Sequence, residues 1–265
     1  MHELVIQIVN YNTKKYLVRC LDLVFNDLHG SSIDYKILVL DNHSADDLGD
    51  LQEKYQLSDK IEFYKNNKNV GFGGGHNILA NKLESKYLLI LNPDIIFIEK
   101  NTIERMFNFI RQDNKINVLG PQLINGNNRI QAWDHGELQS ILSNVLESIG
   151  LYFWRPQNKI VPVAWVSGAV FLIQKNIFIK LNGFDDNIFM YGEELELCMR
   201  IRKNAGMIVY NPKIKILHIG QVSSRRHKHM FVSYQYILNK HHKGSILYYP
   251  AKIVSLVCSL LFSKK

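Results

Sequence analysis

The chain has 265 residues, of which 46% are apolar and 21% are charged, so it can bury a substantial core and is not a disordered protein. Its formal net charge of +8 is unevenly distributed, because the segment from Leu197 to the C-terminus holds 13 of the 32 Lys and Arg residues and no Asp or Glu. Three widely spaced cysteines give neither a disulfide framework nor a metal-binding spacing. The composition therefore excludes a disulfide-rich secreted domain and indicates an anionic partner for the basic C-terminal part.

The first third of the chain alternates between strand and helix patterns. A helical pattern covers Thr13–Leu28, between the first two strand-like runs, and another helix ends near Leu83, before the last run. This alternation predicts an α/β protein with a mostly parallel sheet. The strand-like runs are Leu4–Val9, Tyr35–Leu40, Ile61–Tyr64 and Tyr87–Leu91.

Polar residues follow three of these strands at the point where each ends. Asn10 follows the first strand, Asp41 and Asn42 follow the second, and Asp94 comes shortly after the fourth. Because the carboxyl ends of parallel strands share one edge of a sheet, and ligands bind beyond that edge, we expect these side chains to line one crevice.

A glycine-rich segment, Asn66–Asn77, follows the third strand, and its core Gly71–His76 partly matches a dinucleotide-binding fingerprint. The third glycine of the fingerprint is missing and no acidic residue lies suitably downstream, so a Rossmann dehydrogenase is not indicated. Glycines before a helix still let backbone N–H groups approach a phosphate. The segment is therefore a candidate nucleotide loop, with a merely flexible turn as the alternative.

Three sites contain candidate metal ligands or catalytic residues. Asp94, in Asn92-Pro93-Asp94, is a natural ligand for Mg²⁺ or Mn²⁺ beside a diphosphate, although residues of this kind also commonly form a turn. Glu193 and Glu194 open a predicted helix, and one of them is a candidate general base unless both only complement the helix dipole. His218, at the end of a predicted strand, is either a further metal ligand or a surface histidine.

The later part of the chain is less regular. Asn125–Asn128 is typical of a hairpin turn, and Ala164–Ile173 is typical of one buried strand. Two further short strands are predicted at Ala205–Tyr210 and Ile214–His218, and the chain beyond them is basic with a helical pattern.

In their order and spacing, these residues resemble the family 2 glycosyltransferases with the GT-A fold, over about Leu4 to His242. Within that family the sequence is most similar to the rhamnosyltransferase-like enzymes of bacterial cell-surface polysaccharide synthesis, such as that of O antigen. The resemblance implies a GT-A type, Rossmann-like nucleotide-binding domain. The matching segments are VNYN at 9–12, VLDNHS at 39–44, NVGFGGGHN at 69–77, LNPD at 91–94, VSGAVFLI at 166–173, GFDD at 183–186 and FMYGEELELCMRIR at 189–202.

The resemblance also implies a role for each matching residue. The family's Asp-x-Asp motif matches Asn92-Pro93-Asp94, so Asp94 would hold the metal and Asn92 stands in place of the first Asp of the motif. His218 would be a further metal ligand. Glu194 would be the catalytic base, with Glu193 as the alternative. The residues expected to bind the nucleotide sugar are Asn10, Tyr11, Asp41, Asn42, Gly71, Phe72, Gly73, Asn77, Asn92 and Trp165.

The implied activity is inverting, metal-dependent transfer of a sugar, with rhamnose from dTDP-rhamnose as the first choice, to a glycan or lipid-diphosphate-linked acceptor. Mg²⁺ or Mn²⁺ would be the cofactor. A UDP-sugar donor carrying galactose, glucose or an N-acetylhexosamine is the alternative, and a non-catalytic nucleotide-sugar-binding protein is the alternative of another class. Trp165 is a candidate wall of the sugar pocket or, equally, a buried core aromatic.

The expected domain organisation is a glycosyltransferase domain over residues 1–222 and a basic amphipathic extension over residues 223–265. Within the first domain, the resemblance implies a nucleotide-binding part at about 1–95 and an acceptor and catalytic part at about 96–222.

The basic C-terminal extension predicts contact with an anionic lipid surface. Basic clusters at 225–229 and 240–243 flank the apolar stretch Met230–Leu238, and Ile253–Phe262 is apolar but about half as long as a bilayer span. A helix that only closes the domain is the alternative, and no nucleic-acid-binding module is recognisable. Because no signal-peptide pattern precedes Leu4, we expect a cytoplasmic protein that is peripheral on the inner face of the membrane.

Overall fold

The computed structural model describes residues 1–136, 154–220, 226–246 and 248–253, and it describes only the backbone of residues 226–228. Within these residues, nine strands form one sheet and two more form a small ladder beside it. The predicted domain boundary at 222 and nearly all of the apolar stretch Ile253–Phe262 lie outside the described residues.

The first half of the sheet is parallel, as the alternating pattern predicts. Its strands lie in the order β3-β2-β1-β4, and every neighbouring pair is parallel. The strands are β1 (His2–Asn10), β2 (Tyr35–Asp41), β3 (Ile61–Lys65) and β4 (Ser85–Leu91). The helices that connect them are α1 (Lys14–Asp27), α2 (Gly49–Tyr55) and α3 (Gly71–Ala80).

The second half of the sheet is mixed. Strand β10 lies antiparallel between β4 and β6, β11 runs parallel to β6, and β5 and β8 pair antiparallel with β11. The small ladder joins β7 to β9. These strands are β5 (Ile95–Phe97), β6 (Ile116–Ile124), β7 (His135–Gly136), β8 (Val161–Pro162), β9 (Trp165–Val166), β10 (Val170–Gln174) and β11 (Met207–His218). The later helices are α4 (Thr102–Ile110), α5 (Lys175–Lys180), α6 (Glu193–Lys203) and α7 (Arg226–His242).

The core occupies both faces of the sheet. On one face, α1 buries Leu17, Leu21 and Val24 completely against β1 and β2 residues, which is the apolar stripe expected of an amphipathic helix. On the other face, α3, α6 and α7 pack around a second cluster that includes Phe171 and Phe184. Parallel strands that are covered on both faces have mostly apolar sequences, and this is the pattern from which the four strands were predicted.

Two predicted strands differ from the structure. Ala164–Ile173 is not one strand, because the chain leaves the small ladder after Val166 and enters the main sheet only at Val170. The predicted strands Ala205–Tyr210 and Ile214–His218 are joined in the single strand β11, which has an irregularity between Asn211 and Lys215 where its pairing with β6 shifts register.

Only residues 66–70 of the predicted glycine-rich loop are a loop ahead of a helix. Helix α3 begins at Gly71, so the glycines form its first turns, and they are buried by other parts of this chain. Gly71 has φ +81°, and a Cβ there would collide with the carbonyl oxygen of Phe189; both features require glycine. A Cβ at Gly73 would lie 2.8 Å from Cβ of Phe184. The glycines therefore allow close helix packing.

Candidate active site

The carboxyl ends of β1 and β2 meet, as predicted. Asn10 and Asp41 are register partners in the parallel ladder. Ser44 connects them, because its hydroxyl accepts a hydrogen bond from Nδ2 of Asn10 at 3.0 Å and its backbone N–H donates to Oδ1 of Asp41 at 3.1 Å. Both Asn10 and Asp41 are buried, whereas Tyr11 next to them is 46% exposed. The two strand ends thus form a rigid polar floor with one accessible aromatic ring.

Asn42 holds the entrance to α3 in place. Its Oδ1 accepts hydrogen bonds from Asn66 Nδ2 at 3.0 Å and from the Val70 N–H at 3.2 Å. Its Nδ2 donates to Oδ1 of Asn69 at 2.9 Å and to the carbonyl of Gly71 at 3.0 Å. Because both ends of the amide are engaged by the chain itself, Asn42 shapes the crevice.

Asp94 and His218 meet at the end of β4. Oδ1 of Asp94 lies 3.3 Å from Nε2 of His218, and Oδ2 of Asp94 accepts a hydrogen bond from the Gly220 N–H at 2.9 Å. Nδ2 of Asn92 lies 3.4 Å from the same His218 nitrogen. The antiparallel pairing of β5 with β11 brings the two segments together, because His218 is the register partner of Ile95. The structure therefore brings together Asp94 and His218, the two predicted metal ligands, with Asn92, which was predicted to bind the nucleotide sugar.

The orientation of His218 makes this pair suitable for a cation. Nδ1 of His218 lies 2.9 Å from Oε1 of Gln131, which holds the ring so that Nε2 faces Asp94, and a bound cation would take the place of the hydrogen bond between them. The separation of 3.3 Å between Nε2 and Oδ1 is close to the ~3 Å between adjacent ligands of an octahedral Mg²⁺ with bonds of ~2.1 Å. A carboxylate oxygen and an imidazole nitrogen facing one space can supply two of the ligands of a divalent cation, whose remaining ligands in such sites are substrate phosphates and water. Among the described residues, no group of three or more His, Cys, Asp or Glu side chains could hold a metal ion, so this site rests on the pair.

Electrostatics keep Asp94 charged. Burial of its carboxyl group disfavours the ionised form, but the neighbouring His218 imidazole and the Gly220 N–H outweigh burial and hold the pKa of Asp94 below its ordinary value. Asp94 is therefore a carboxylate at neutral pH, which is the form that binds a cation.

Backbone contacts lead from this pair to Glu194. The Asn92 N–H donates to the carbonyl of Ala169 at 2.9 Å, and the neighbouring Gly168 lies against α6, where a Cβ on it would be 3.8 Å from Cβ of Glu194. The break between β9 and β10 is what places Gly168 there. Asn92, two residues before Asp94, and Glu194 therefore both lie next to the segment 168–169, near the carboxyl end of β4.

Glu193 and Glu194 occupy different environments. Glu193 is buried against Gly73 of α3, with 3% of its surface exposed, whereas Glu194 is half-buried. Burial, and next the charge of Glu194, raise the pKa of Glu193 well above its ordinary value. Burial also raises the pKa of Glu194, although the backbone amides of Glu194, Gly168 and Gly192 partly offset it. Glu194 is thus the accessible member of the pair and has an increased proton affinity, as a general base requires.

The remaining predicted residues divide between the crevice and the packing around it. Phe72 borders the crevice, because a Cβ on Gly168 would lie 3.3 Å from its ring. Asn77 binds the main chain of Phe184 through both amide atoms, at 2.8 and 2.9 Å, and so anchors the segment before α6. Trp165 is 6% exposed and lies in the core against Gly136, which is the alternative that the sequence left open for it.

Sequence reasoning missed three residues of the site, namely Gln131, Gly168 and Gly220. Gln131 reaches His218 because the hairpin after β6 folds back, with its N–H donating to the carbonyl of Leu123 at 2.8 Å. Nothing in the local sequence indicates this contact. Gly168 could have been found, because a glycine inside a predicted buried strand signals a break or a close backbone approach.

Three curated proteins are similar to this chain over most of its length. The low-salt glycan biosynthesis hexosyltransferase Agl10 of Haloferax volcanii is 24% identical over 240 residues, covering 88% of this chain and 73% of the relative. The rhamnosyltransferase WbbL of Escherichia coli is 25% identical over 233 residues, covering 82% and 84%. The N-acetylglucosaminyl-diphospho-decaprenol L-rhamnosyltransferase of Mycobacterium tuberculosis is 23% identical over 206 residues, covering 69% and 66%.

Among solved structures, the fold is similar to that of GalNAc-T7 crystallised with UDP, GalNAc and Mn²⁺. The TM-score is 0.65 at 15% sequence identity, and the match covers 90% of this chain but only 48% of that one. This likeness confirms the predicted GT-A fold class.

The sequence resemblance is confirmed by a family model. Two of the three relatives are named rhamnosyltransferases and the third is named a hexosyltransferase, in agreement with the predicted branch. The model described as glycosyl transferase family 2 matches residues 5–181, which is well over half of the chain. The chain therefore belongs to glycosyl transferase family 2 and is a glycosyltransferase.

Proposed function

We propose that this glycosyltransferase moves a sugar from a nucleoside-diphosphate donor to a hydroxyl group of a glycan or lipid-diphosphate-linked oligosaccharide in cell-surface polysaccharide synthesis, with inversion at the anomeric carbon. Rhamnose from dTDP-rhamnose is the first candidate, because two of the relatives are named rhamnosyltransferases. The observation that carries the proposal is the Asp94–His218 pair, connected through Asn92, Ala169 and Gly168 to Glu194.

The donor binds along the strand ends. The nucleoside lies over the floor that the buried Asn10 and Asp41 form, and the exposed ring of Tyr11 covers it. Asp94 and His218 hold a divalent cation, Mg²⁺ or Mn²⁺, which when bound neutralises the charge that develops on the leaving diphosphate. GalNAc-T7, which shares the fold, was crystallised with UDP and Mn²⁺ together, and the donor set of the Asp94–His218 pair suits the same kind of ion.

The acceptor reacts on the side of Glu194. The Glu194 carboxylate takes the proton of the acceptor hydroxyl, and that oxygen forms a bond with the anomeric carbon as the bond from this carbon to the diphosphate oxygen breaks. The bonding electrons leave with the nucleoside diphosphate. One displacement inverts the configuration, so a second, nucleophilic carboxylate is not required.

A membrane-facing acceptor is supported by the surface at the C-terminal end. Ile246, Tyr249 and Ile253 are exposed apolar residues, and the exposed Lys243 and Lys252 lie among them in the chain. Apolar and basic side chains together suit an anionic lipid surface, and the mycobacterial relative is named for a lipid-diphosphate acceptor. No helix in the described ranges is long and apolar enough to cross a bilayer. On the basis of the exposed apolar and basic surface, we propose peripheral contact with the cytoplasmic membrane.

Nucleotide binding tests the proposal most directly. We expect dTDP to raise the melting temperature in the presence of Mn²⁺, and we expect Asp94→Asn to remove the Mn²⁺-dependent part of that increase while the chain stays folded. UDP and GDP are the comparison ligands. The absence of any increase with all three nucleotides would contradict the proposal.

The same measurements distinguish two alternative functions. A larger increase with UDP than with dTDP would favour a UDP-sugar donor. A non-catalytic nucleotide-sugar-binding protein would show the increase in melting temperature but release no nucleoside diphosphate when donor and lipid-linked acceptor are supplied together.

A further inference from the structure

The turn that carries the two glutamates has an unusual backbone. Tyr191 and Gly192, directly before α6, both lie in the left-handed region, with φ values of 68° and 94°. A bulky residue such as Tyr191 adopts this conformation only where its surroundings enforce it. The contacts around residues 189–192, which we call the base turn, therefore decide where Glu194 stands.

Helix α7 packs directly on the base turn. The Ser233 hydroxyl donates a hydrogen bond to the carbonyl of Met190 at 2.9 Å. A Cβ on Gly192 would lie 3.0 Å from Ile237 and 3.4 Å from Tyr234, both of which are buried. The base turn has no room to move toward α7.

The first turn of α3 holds the base turn from the other side. The Phe72 N–H donates to the carbonyl of Phe189 at 3.1 Å, and Gly71 leaves space for that carbonyl. The base turn is therefore enclosed between α3, at the proposed donor site, and α7.

Lys240 of α7 connects the two ends of this segment. Its ammonium group lies 2.5 Å from Oδ2 of Asp185, before the base turn, and 2.7 Å from Oε1 of Glu196, after it. Glu196 is fully buried and also bonds His241 at 2.9 Å and Arg200 at 2.6 Å. A single cation thus fixes the distance between two carboxylates that flank the base turn.

We propose that Lys240 is a positioning residue for the base, so that α7 completes the active site instead of forming a separate basic tail. The inference rests on the proposed function of Glu194 as the base. Lys240 touches neither substrate nor reacting atoms. It acts by holding Asp185 and Glu196 together, which keeps the base turn in its left-handed conformation and Glu194 within reach of the acceptor hydroxyl.

The test is Lys240→Ala, with Lys115→Ala as the matched control, because Lys115 is an exposed lysine in the turn before β6 and has no part in the proposed site or membrane surface. Misplacement of a catalytic group by about 1 Å costs about 100-fold in rate, so we expect kcat of K240A to fall by about 10- to 100-fold. The donor dissociation constant should change by less than about twofold, since donor contacts are untouched. K115A should behave as the wild type.

Chemical rescue separates positioning from mere stability. The Lys240 side chain is 34% exposed, so ethylammonium can enter the space it leaves. We expect ethylammonium to restore kcat of K240A several-fold and to leave K115A unchanged, and we expect Lys240→Arg to keep most of the activity. A wild-type kcat in K240A would overturn the inference, as would a loss of donor binding and activity together that ethylammonium does not restore.

A milder variant covers the case in which K240A does not fold. Lys240→Gln keeps most of the side chain and an N–H donor but removes the charge that Asp185 and Glu196 share, and we expect kcat to fall a few-fold with donor affinity unchanged. An unchanged kcat in this variant would overturn the inference. The proposed function is rejected by a different result. If Glu194→Gln is active, Glu194 is not the base and the proposed function is wrong. If Glu194→Gln is inactive but K240A is fully active, only the role of Lys240 is wrong.

Discussion

The two halves of the active site treat their carboxylates in opposite ways. In the cation half, Asp94 is held by His218 and by the Gly220 N–H, and its pKa is lowered because these contacts outweigh burial. In the base half, burial raises the pKa values of both Glu193 and Glu194. One half keeps a negative charge for a cation, and the other is prepared to accept a proton.

This difference follows from where the groups lie in the fold. Asp94 stands at the end of a strand, where backbone N–H groups and a neighbouring strand supply partners. Glu193 lies between two packed helices, and within the described part of the chain no group hydrogen-bonds its Oε2. Partnered carboxylates stay ionised, and carboxylates buried without partners favour the protonated form. The same residue chemistry therefore serves two functions through its surroundings.

The largest expected effect comes from removing the proton acceptor. Glu194→Gln keeps the shape of the side chain but cannot take the acceptor proton, so we expect kcat to fall by about 100- to 10,000-fold. Donor affinity should stay within about twofold of the wild type, because the cation half is unchanged. Release of nucleoside diphosphate in the presence of acceptor measures kcat, and isothermal titration measures donor binding.

Glu193→Gln is the matched comparison for this variant, since it changes the neighbouring glutamate in the same way. It should retain much more activity than Glu194→Gln. If the losses were reversed, Glu193 would be the base, and the assignment based on exposure would be wrong.

A smaller effect is expected in the cation half. Gln131→Leu removes the acceptor that orients His218 through Nδ1, and loss of such an outer partner weakens metal affinity by about 10- to 100-fold. We expect activity to return when Mn²⁺ is raised, because Asp94 and His218 themselves remain. Titration of free Mn²⁺ by electron paramagnetic resonance measures the affinity, and an unchanged dissociation constant in Gln131→Leu would show that His218 does not bind the ion.

The sequence predicted the arrangement of the strand ends well, whereas the binding roles of the residues that follow them stay predictions. Asn10, Asp41 and Asp94 could be placed together because apolar runs locate the strands, and parallel strands end at a common edge. His218 could be placed only through the family resemblance. Its contact with Gln131 depends on a hairpin register between residues that no local pattern connects.

The sequence predicted the packing around the base poorly. The glycine run was expected to form a phosphate loop, but its neighbours are Phe184, Phe189 and Glu193, more than a hundred residues away in the chain. A glycine pattern indicates that something approaches closely and does not indicate whether it is a ligand or a side chain. Likewise, the basic C-terminal region was considered as a lipid-binding surface, yet Lys240 bonds two acidic residues of the same chain.

The smallest expected effect is on stability and comes from the carboxyl group of Glu193, whose Oε2 has no hydrogen-bond partner within the described residues. Its folded-state pKa is raised by burial, so at pH values between the unfolded-state and folded-state pKa the folded protein holds a proton that the unfolded chain has released. Folding stability must then decrease as pH rises above the ordinary Glu pKa of about 4.3, until the folded-state pKa is passed. Glu193→Gln cannot ionise and avoids this loss. We therefore expect this variant to melt a few degrees above the wild type at pH 8, and at the same temperature as the wild type at about pH 4.

Thermal melts of the wild type and Glu193→Gln between these two pH values measure the difference, and Glu53→Gln, at an exposed position of α2, is the control that should show none. The sign of the difference is decisive, because a carboxylate stabilised by hidden partners would give the opposite result: the Gln variant would be less stable at pH 8. That outcome would mean that Glu193 is ionised in the folded state. The contrast between a charged cation half and a proton-accepting base half would then be wrong at Glu193.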